Sequence, residues 1–198
     1  MKDKISGIIL AGGQGQRFNH QDKGLILWQG KPLISHVINR IESQVDQLII
    51  NCNRNIDQYQ LLGHTVCHDK QCSDKHLDFQ GPLAGIQAAL PYADHSYCLI
   101  CPCDTPILPN ELTTRLYAAI IKRQADVAFP NCNGRSHYLP VLITTKLAKG
   151  LDHYLLGNDR SMKGWYQSMT AIEVDFSDLD RHFANINSPE ALTDSQSC

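Results

Sequence analysis

The chain has 198 residues, 42% of them hydrophobic and 19% charged, with a formal net charge of −2. This length supports one hydrophobic core and is short for two, and the composition is that of an ordinary globular protein. A charge balance so close to neutral excludes the broad basic field that nucleic-acid binding requires. We therefore expect no nucleic-acid partner and only local contacts with any nucleotide.

The first residues, MKDKISGIILAGG, lack the pattern of a secretory signal peptide, because glycines rather than a cleavage site follow a short apolar run. No apolar stretch approaches the ~20 residues that are needed to span a bilayer. We therefore expect no membrane partner and a cytoplasmic location, in which the eight cysteines remain thiols.

Strand and helix patterns alternate along the chain. The apolar run 5–10 ends close to two glycines, as a buried parallel strand does, and 31–44 has apolar residues at helical spacing with Pro32 as its first helical residue. Further strands are expected at 46–53, 64–69, 96–104, 126–130, 138–144 and 171–176. Further helices are expected at 54–62, 79–90, 108–124, 145–156 and 161–169, with a last one capped by Ser188.

The helix expected at 108–124 has Pro109 near its start, Glu111 in its first turn, and Lys122 and Arg123 at its end, an order that suits the helix dipole. Alternating units with short connections predict a single α/β domain over 1–198. We expect it to be Rossmann-like, with a mainly parallel sheet in a three-layer αβα arrangement. The apolar strand at 96–104 should be central, and the less regular pattern after about residue 130 indicates one reversed strand.

Three cysteines, Cys98, Cys101 and Cys103, are close together in YCLICPCD. In a strand, Cys98 and Cys101 would point to opposite faces, and no second cysteine pair completes a zinc site. The pattern favours buried thiols that pack as small hydrophobic side chains.

The stretch IILAGGQGQRFNHQDKGLI, residues 8–26, places two glycines and a polar loop with Arg17 and Lys23 directly after the first strand. Glycine lets the backbone approach a ligand closely, and exposed backbone N–H groups form a concave anion site. The pattern therefore points to a phosphate, with a surface loop carrying incidental charges as the alternative.

Two common phosphate motifs do not fit this loop. The P-loop requires Ser or Thr after Gly-Lys, but Gly30-Lys31 is followed by proline. The dinucleotide fingerprint requires a third glycine where this chain has Phe18, and the second strand ends near Asn51 instead of an acid. The pattern therefore disfavours a dinucleotide-dependent dehydrogenase.

LAGGQGQRF and DKGL are followed in order by GPLAG at 81–85, CDTP at 103–106 and NINSPEAL near the C-terminus. This ordered set resembles nucleotidyltransferases that transfer NMP from an NTP to a phosphorylated acceptor, and within them the molybdenum cofactor guanylyltransferase (MobA) family. The resemblance covers about 5–193 and implies a nucleotide-diphospho-sugar transferase type of fold. Related cytidylyltransferases read Leu-Ala-Ala-Gly where this chain has Leu-Ala-Gly-Gly, which favours guanine over cytosine.

The resemblance implies transfer of GMP from GTP to the phosphate of molybdenum-molybdopterin, giving molybdopterin guanine dinucleotide and pyrophosphate. It implies Mg²⁺, for which Mn²⁺ can substitute, with GTP and molybdenum-molybdopterin as partners. Molybdoenzymes and other cofactor-biosynthesis proteins are further candidate partners. Three alternatives stay open: a CTP-dependent molybdopterin cytidylyltransferase, a sugar-phosphate nucleotidyltransferase, and a non-catalytic carrier of the cofactor.

The resemblance also assigns roles to particular residues. Lys23 would neutralise charge on the phosphates, with Arg17 closing on them as a mobile cation; either could instead be a surface charge. Asp104, after the most apolar strand, would hold Mg²⁺ and the nucleotide, or else cap a helix. The remaining nucleotide-binding candidates are Leu10, Ala11, Gly12, Gly13, Asn51 and Asp69, and the acceptor-binding candidates are Asn185 and Asn187. For these residues, turns and helix caps are the structural alternatives.

Overall fold

The computed structural model describes residues 3–12, 21–69, 81–157 and 159–187. Its strands are β1 Ile5–Leu10, β2 Leu27–Trp28, β3 Lys31–Pro32, β4 Gln47–Asn51, β5 Thr65–Cys67, β6 Tyr97–Pro102, β7 Val127–Cys132, β8 Arg135–Ser136, β9 Val141–Thr144 and β10 Ala171–Asp175. Its α-helices are α1 Leu33–Ile41, α2 Ile56–Gln60, α3 Pro82–Ala89, α4 Leu112–Arg123, α5 Ala148–Tyr154 and α6 Met162–Gln167. Short 3₁₀ segments, among them Lys23–Leu25 and Ser177–Phe183, connect several of these elements.

The central sheet has the strand order β10-β7-β9-β6-β1-β4-β5, with β8 paired to β7. β1 pairs in parallel with both β4 and β6. β9 runs antiparallel to both β6 and β7. The predicted α/β fold with a mainly parallel sheet, a central strand near 96–104 and a reversed strand after residue 130 is therefore confirmed, and the short β8 also runs antiparallel to β7.

The sheet is covered on both faces, which explains why its inner strands read as continuous apolar runs. Every residue of β1 is buried, and its alternate side chains enter different clusters. Ile9 belongs to one cluster with Cys101, and Ile8 belongs to the other with Ile100 and Trp165. The two-residue period of the strand therefore divides the core into two layers.

The cysteines of the described chain are unpaired and buried, as predicted; they are Cys52, Cys67, Cys98, Cys101, Cys103 and Cys132. Cys98 and Cys101 face opposite layers, as their spacing in β6 requires. Burial raises the thiol pKa of both residues above the ordinary range. These two thiols therefore stay protonated and pack as small apolar groups.

Two predicted helix starts were wrong by a few residues. Pro32 has ψ 142° and pairs with Leu27 in β3, so α1 begins one residue later, at Leu33. Glu111 is the N-cap of α4 instead of a first-turn residue, because the backbone still turns there and the Leu112 N–H bonds to Pro109 O. The predicted basic end of α4 is confirmed.

The β2–β3 hairpin was not predicted from the sequence. Gln29 and Gly30, between its strands, both have positive φ, at 49° and 77°. This geometry suits a tight hairpin turn, but Gln is not a residue that usually signals it.

The predicted helix capped by Ser188 lies outside the described residues. Among the helices of the described segments, none combines the length and apolar character that a membrane crossing needs.

His137, which precedes β9, gives a pH dependence of stability that can be tested. Its Nε2 is buried with no hydrogen-bond partner among the described residues. Burial is the main cause of its lowered pKa; nearby Arg135 adds to the effect and Asp180 opposes it. The imidazole of His137 therefore binds a proton more readily in the unfolded chain than in the folded chain. Stability from His137 is present above pH 6.5 and is lost as the pH falls below that value.

We expect the free energy of unfolding in urea to fall more steeply between about pH 7.5 and pH 5 in the wild type than in His137→Gln. His153 is exposed in α5, so His153→Gln is the matched control and should keep the wild-type slope. Equal slopes for the wild type and His137→Gln would contradict this account.

Candidate active site

The ends of three neighbouring parallel strands bring the predicted residues to one edge of the sheet. Leu10 is paired with Asn51 of β4 and Pro102 of β6, so the segments after these strands begin side by side. The ladder continues past the strands, with Ala11 N–H donating to Asn51 O at 2.8 Å and Cys103 N–H to Leu10 O at 3.1 Å. This is the edge at which open α/β sheets bind ligands.

Lys23, Asp104 and Asn187 meet at this edge. The Lys23 ammonium lies 2.5 Å from Asp104 Oδ2 and 2.5 Å from Asn187 Oδ1. The side chains of Lys23 and Asp104 keep 22% and 14% of their surface exposed, so a ligand can reach them. Two oxygen atoms from distant parts of the chain therefore converge on one cation.

The segment that carries both acceptor-side candidates is tied to Asp104. Ile186 N–H donates to Asp104 O at 2.9 Å, and the Thr105 hydroxyl donates to Asn185 Oδ1 at 2.9 Å. Thr105 is buried and was not among the predicted site residues. These bonds place Asn185 and Asn187 beside the carboxylate, and their predicted role in binding the acceptor stays a prediction.

Asn51 and Asp69 also meet, with a third residue between them. Asp69 accepts from Asn51 Nδ2 at 2.9 Å and from Asn53 Nδ2 at 2.8 Å. Asp69 N–H in turn donates to Asn53 Oδ1 at 2.9 Å. Asn53 was not among the predicted site residues, although its position two residues after Asn51 puts its side chain on the same side of the chain. The result is a fixed polar pair of amides around one carboxylate.

Glycines make room for these amides. A Cβ at Gly12 would lie 2.9 Å from Asn53 Nδ2, and one at Gly85 in α3 would lie 2.5 Å from Asn51 Oδ1. Both glycines therefore let backbone approach the amides more closely than any other residue could. Leu10 and Ala11 are buried, and their predicted role in binding the nucleotide stays a prediction. The predicted Gly13 and Arg17 lie outside the described residues.

The thiols near this edge are unsuited to act as nucleophiles. Burial, with smaller effects of nearby acids, raises the pKa of Cys52 to about 12. Burial also raises the pKa of Cys67 to about 11, although the Asn51 amide partly opposes it. A thiolate is the reactive form of cysteine, so at neutral pH these two residues are inert.

A separate group of possible metal ligands lies at the end of β7. One donor atom each from Cys132, His137 and Asp180 fall within 4.8 Å of one another. The Cys132 thiol already donates to Phe176 O at 3.4 Å, and Asp180 is exposed. We interpret this group as packing between β7 and the Ser177–Phe183 segment, because the thiol already has a partner.

The edge offers a carboxylate, a lysine ammonium, fixed amides and glycine backbone at the ends of neighbouring strands. Carboxylate oxygen is the ligand that Mg²⁺ prefers, and a nearby ammonium neutralises phosphate oxygens. Fixed amides can both donate and accept hydrogen bonds, which suits recognition of a base or ribose. Such a set can position a nucleoside triphosphate for transfer without a covalent intermediate.

Three comparisons with known proteins agree with this chemistry. The model of the MobA-like NTP transferase domain matches residues 7–172. A molybdenum cofactor guanylyltransferase from Shewanella frigidimarina is 38% identical over 190 residues, which cover 96% of this chain and 94% of the relative. A protein of the same name from Mannheimia succiniciproducens is 41% identical over 183 residues, which cover 92% and 94% of the two chains.

A solved structure, molybdopterin-guanine dinucleotide biosynthesis protein A from Archaeoglobus fulgidus, shares the fold with a TM-score of 0.75. The two chains are 23% identical, and the comparison covers 96% of each of them. The chain therefore has the fold of a nucleotidyltransferase and belongs to that class of enzyme. The chain belongs to the MobA-like NTP transferase family.

Gly85 should be needed for packing against Asn51, although glycine stabilises a helix less than alanine does. We expect Gly85→Ala to destabilise the protein by about 1–3 kcal/mol, because the added methyl overpacks against Asn51 Oδ1 and Leu10. Gly150 in α5 is the matched control, because a Cβ at this position would meet no atom within 4 Å. Gly150→Ala should be stabilising by up to about 1 kcal/mol. The check is urea unfolding of both variants, and a shift of the same sign in both would contradict the packing argument.

Proposed function

We propose that this chain is a guanylyltransferase that transfers GMP from GTP to the terminal phosphate of molybdenum-molybdopterin. An oxygen of that phosphate forms a bond to the α-phosphorus of GTP, and the bond from that phosphorus to the bridging oxygen of pyrophosphate breaks. The products are molybdopterin guanine dinucleotide and pyrophosphate. Two full-length relatives that are named for this activity support the proposal.

The single observation that carries the mechanism is the convergence of Lys23, Asp104 and Asn187 at the sheet edge. In the proposed reaction the Lys23 ammonium leaves these oxygens for the phosphates and offsets the charge that develops on pyrophosphate. Arg17 is proposed to close on the same phosphates. Catalysis of this kind depends on positioning and charge, because phosphoryl transfer needs little covalent chemistry from the protein.

The donor set also fits a divalent cation. Asp104 supplies a partly exposed carboxylate that already accepts from one cation, and Asn187 Oδ1 approaches the same cation. We propose that Asp104 holds Mg²⁺, with Mn²⁺ as a substitute and the Asn187 oxygen within the same cluster. When bound, the ion would neutralise triphosphate oxygens while keeping several waters.

The nucleotide is proposed to lie along the glycine and amide side of this sheet edge. The backbone of Leu10, Ala11, Gly12 and Gly13 would face it, and Asn51 and Asp69 would contact its base or ribose. Asn185 and Asn187 would lie toward the acceptor. The carboxylate of Asp69 is already oriented by two amides, which supports a recognition role with little reorganisation on binding.

The wider setting is also a proposal. We infer that the whole chain, 1–198, acts as one nucleotidyltransferase domain in the cytoplasm. The unpaired thiols of the described residues support a reducing compartment. The product would pass to molybdoenzymes or other cofactor-biosynthesis proteins.

Asp104→Ala should lower the rate of pyrophosphate release with GTP, molybdenum-molybdopterin and Mg²⁺ by at least about 100-fold, because the metal loses its carboxylate. Circular dichroism should show a folded protein. Asp178, an exposed acid paired with Arg115, offers the control Asp178→Asn, which should keep normal turnover. Near-normal turnover of Asp104→Ala would remove this residue from the mechanism.

Nucleotide choice separates this function from its alternatives. We expect unlabelled GTP to compete with radiolabelled GTP in the transfer assay, and CTP or UTP at the same concentration to leave the rate within about twofold. Preferential competition by CTP or UTP would indicate a different nucleotidyltransferase. Tight binding of GTP and acceptor without pyrophosphate release would indicate a carrier.

A further inference from the structure

Asp22, the residue before Lys23, is buried with 9% of its surface exposed. Both of its carboxylate oxygens are engaged by side chains from around α2. Oδ1 accepts from the Tyr59 hydroxyl at 2.6 Å, and Oδ2 accepts from Asn55 Nδ2 at 3.0 Å. A buried carboxylate is costly unless such bonds satisfy it, so this arrangement holds Asp22 in one place.

Asp22 also begins the turn that carries Lys23. Leu25 N–H donates to Asp22 O at 3.0 Å, and Ile26 N–H donates to Lys23 O at 3.3 Å. These bonds close the Lys23–Leu25 3₁₀ turn, for which Asp22 is the N-cap residue. An anchor on the Asp22 side chain therefore fixes the backbone from which Lys23 extends.

Gly24 lets the anchor form. A Cβ at Gly24 would lie 2.4 Å from Tyr59 Oη, 3.3 Å from Tyr59 Cζ and 3.4 Å from Tyr59 Cε1. Only glycine at this position lets the Tyr59 hydroxyl lie against the turn and reach Asp22. Each of the three residues in the DKG sequence therefore has a separate role. Asp22 attaches the turn to Tyr59, Lys23 extends to the sheet edge, and Gly24 leaves space for the Tyr59 hydroxyl.

Tyr59 is suited to be the fixed end of this anchor. Its side chain is fully buried, and it belongs to the same core cluster as Ile9 and Cys101. Burial, followed by the hydrogen bond to Asp22, raises the pKa of Tyr59 far above its ordinary value. The hydroxyl therefore remains a donor at every working pH. The turn is thus attached to the rigid core below the sheet edge.

We propose that Asp22, held by Tyr59 and Asn55, is a positioning residue for guanylyl transfer that fixes the Lys23 ammonium for the phosphates. This inference rests on the proposed role of Lys23. A lysine side chain has about 2 kcal/mol of rotamer entropy, and anchoring its backbone limits the space that the ammonium samples. Because a misplacement of about 1 Å can cost on the order of 100-fold in rate, loss of the anchor should slow catalysis.

Tyr59→Phe tests the anchor by removing a single oxygen. We expect kcat to fall about tenfold, with a smaller change in the KM for GTP. Tyr166 is the matched control: it is also buried, and its hydroxyl donates to Tyr138 O at 2.8 Å in the other core layer. Both variants should remain folded, with Tyr59→Phe losing more stability in urea unfolding because its lost bond was to a buried carboxylate. Tyr166→Phe should keep its kcat, which separates positioning from general stability.

Gly24→Ala provides an independent test and a rescue. The added methyl meets the Tyr59 hydroxyl, so the single variant should show the same loss of kcat. In Gly24→Ala combined with Tyr59→Phe, the atom at 2.4 Å is gone and the remaining contacts are at 3.3 Å or more. The double variant should therefore be no slower than Tyr59→Phe alone, which is a non-additive result. If the rate losses of the two single variants instead multiply in the double variant, the proposed mechanism of the anchor is overturned.

Lys23→Ala distinguishes the two levels of the proposal. If it slows turnover at least about 100-fold while Tyr59→Phe matches Tyr166→Phe, the anchor is wrong and the proposed function stands. If Lys23→Ala keeps normal turnover, the proposed role of Lys23 fails and the anchor fails with it. A slow Lys23→Ala together with a slow, well-folded Tyr59→Phe supports both.

Discussion

The site depends on one short ion pair between Lys23 and Asp104 at the end of the central strand. The two residues come from different loops, and Asn187 from the C-terminal part of the chain completes the contact. Because both side chains stay partly exposed, the pair is accessible to a ligand instead of being sealed in the core. A carboxylate held beside an ammonium is ready for either a metal ion or a phosphate to take the place of one partner.

The parallel register of the sheet makes this pair possible. Leu10 is level with Asn51 on one side and with Pro102 on the other, so all three following segments start from the same edge. β9 runs in the opposite direction beside β6, so its carboxyl end lies at the other edge of the sheet. The amides that surround Asp69 and the Lys23–Asp104 pair therefore lie at the same edge of the sheet, after strands on either side of β1.

The sequence was sufficient to predict the fold class and the central strand, because apolar periodicity is a local signal. The residues that meet at the edge were predicted from the resemblance of the ordered motifs to a known family. It was not sufficient for Asn53, Thr105 or Asp22, since their roles come from partners far along the chain. Helix starts at Pro32 and Glu111 were misplaced because tertiary pairing and turn geometry overrode propensity. The β2–β3 hairpin was missed because a glutamine adopts the positive φ that usually marks glycine or asparagine.

The buried thiols have a chemical consequence. Cys98 and Cys101 lie on the same central strand but in different layers of the core. An alkylating reagent or a peroxide attacks thiolate, which these protonated, inaccessible sulfur atoms do not offer in the native fold. Their modification therefore requires the sheet to separate from its helical cover, one layer for each cysteine. The order in which the two cysteines are modified would therefore show which layer of helices separates from the sheet first.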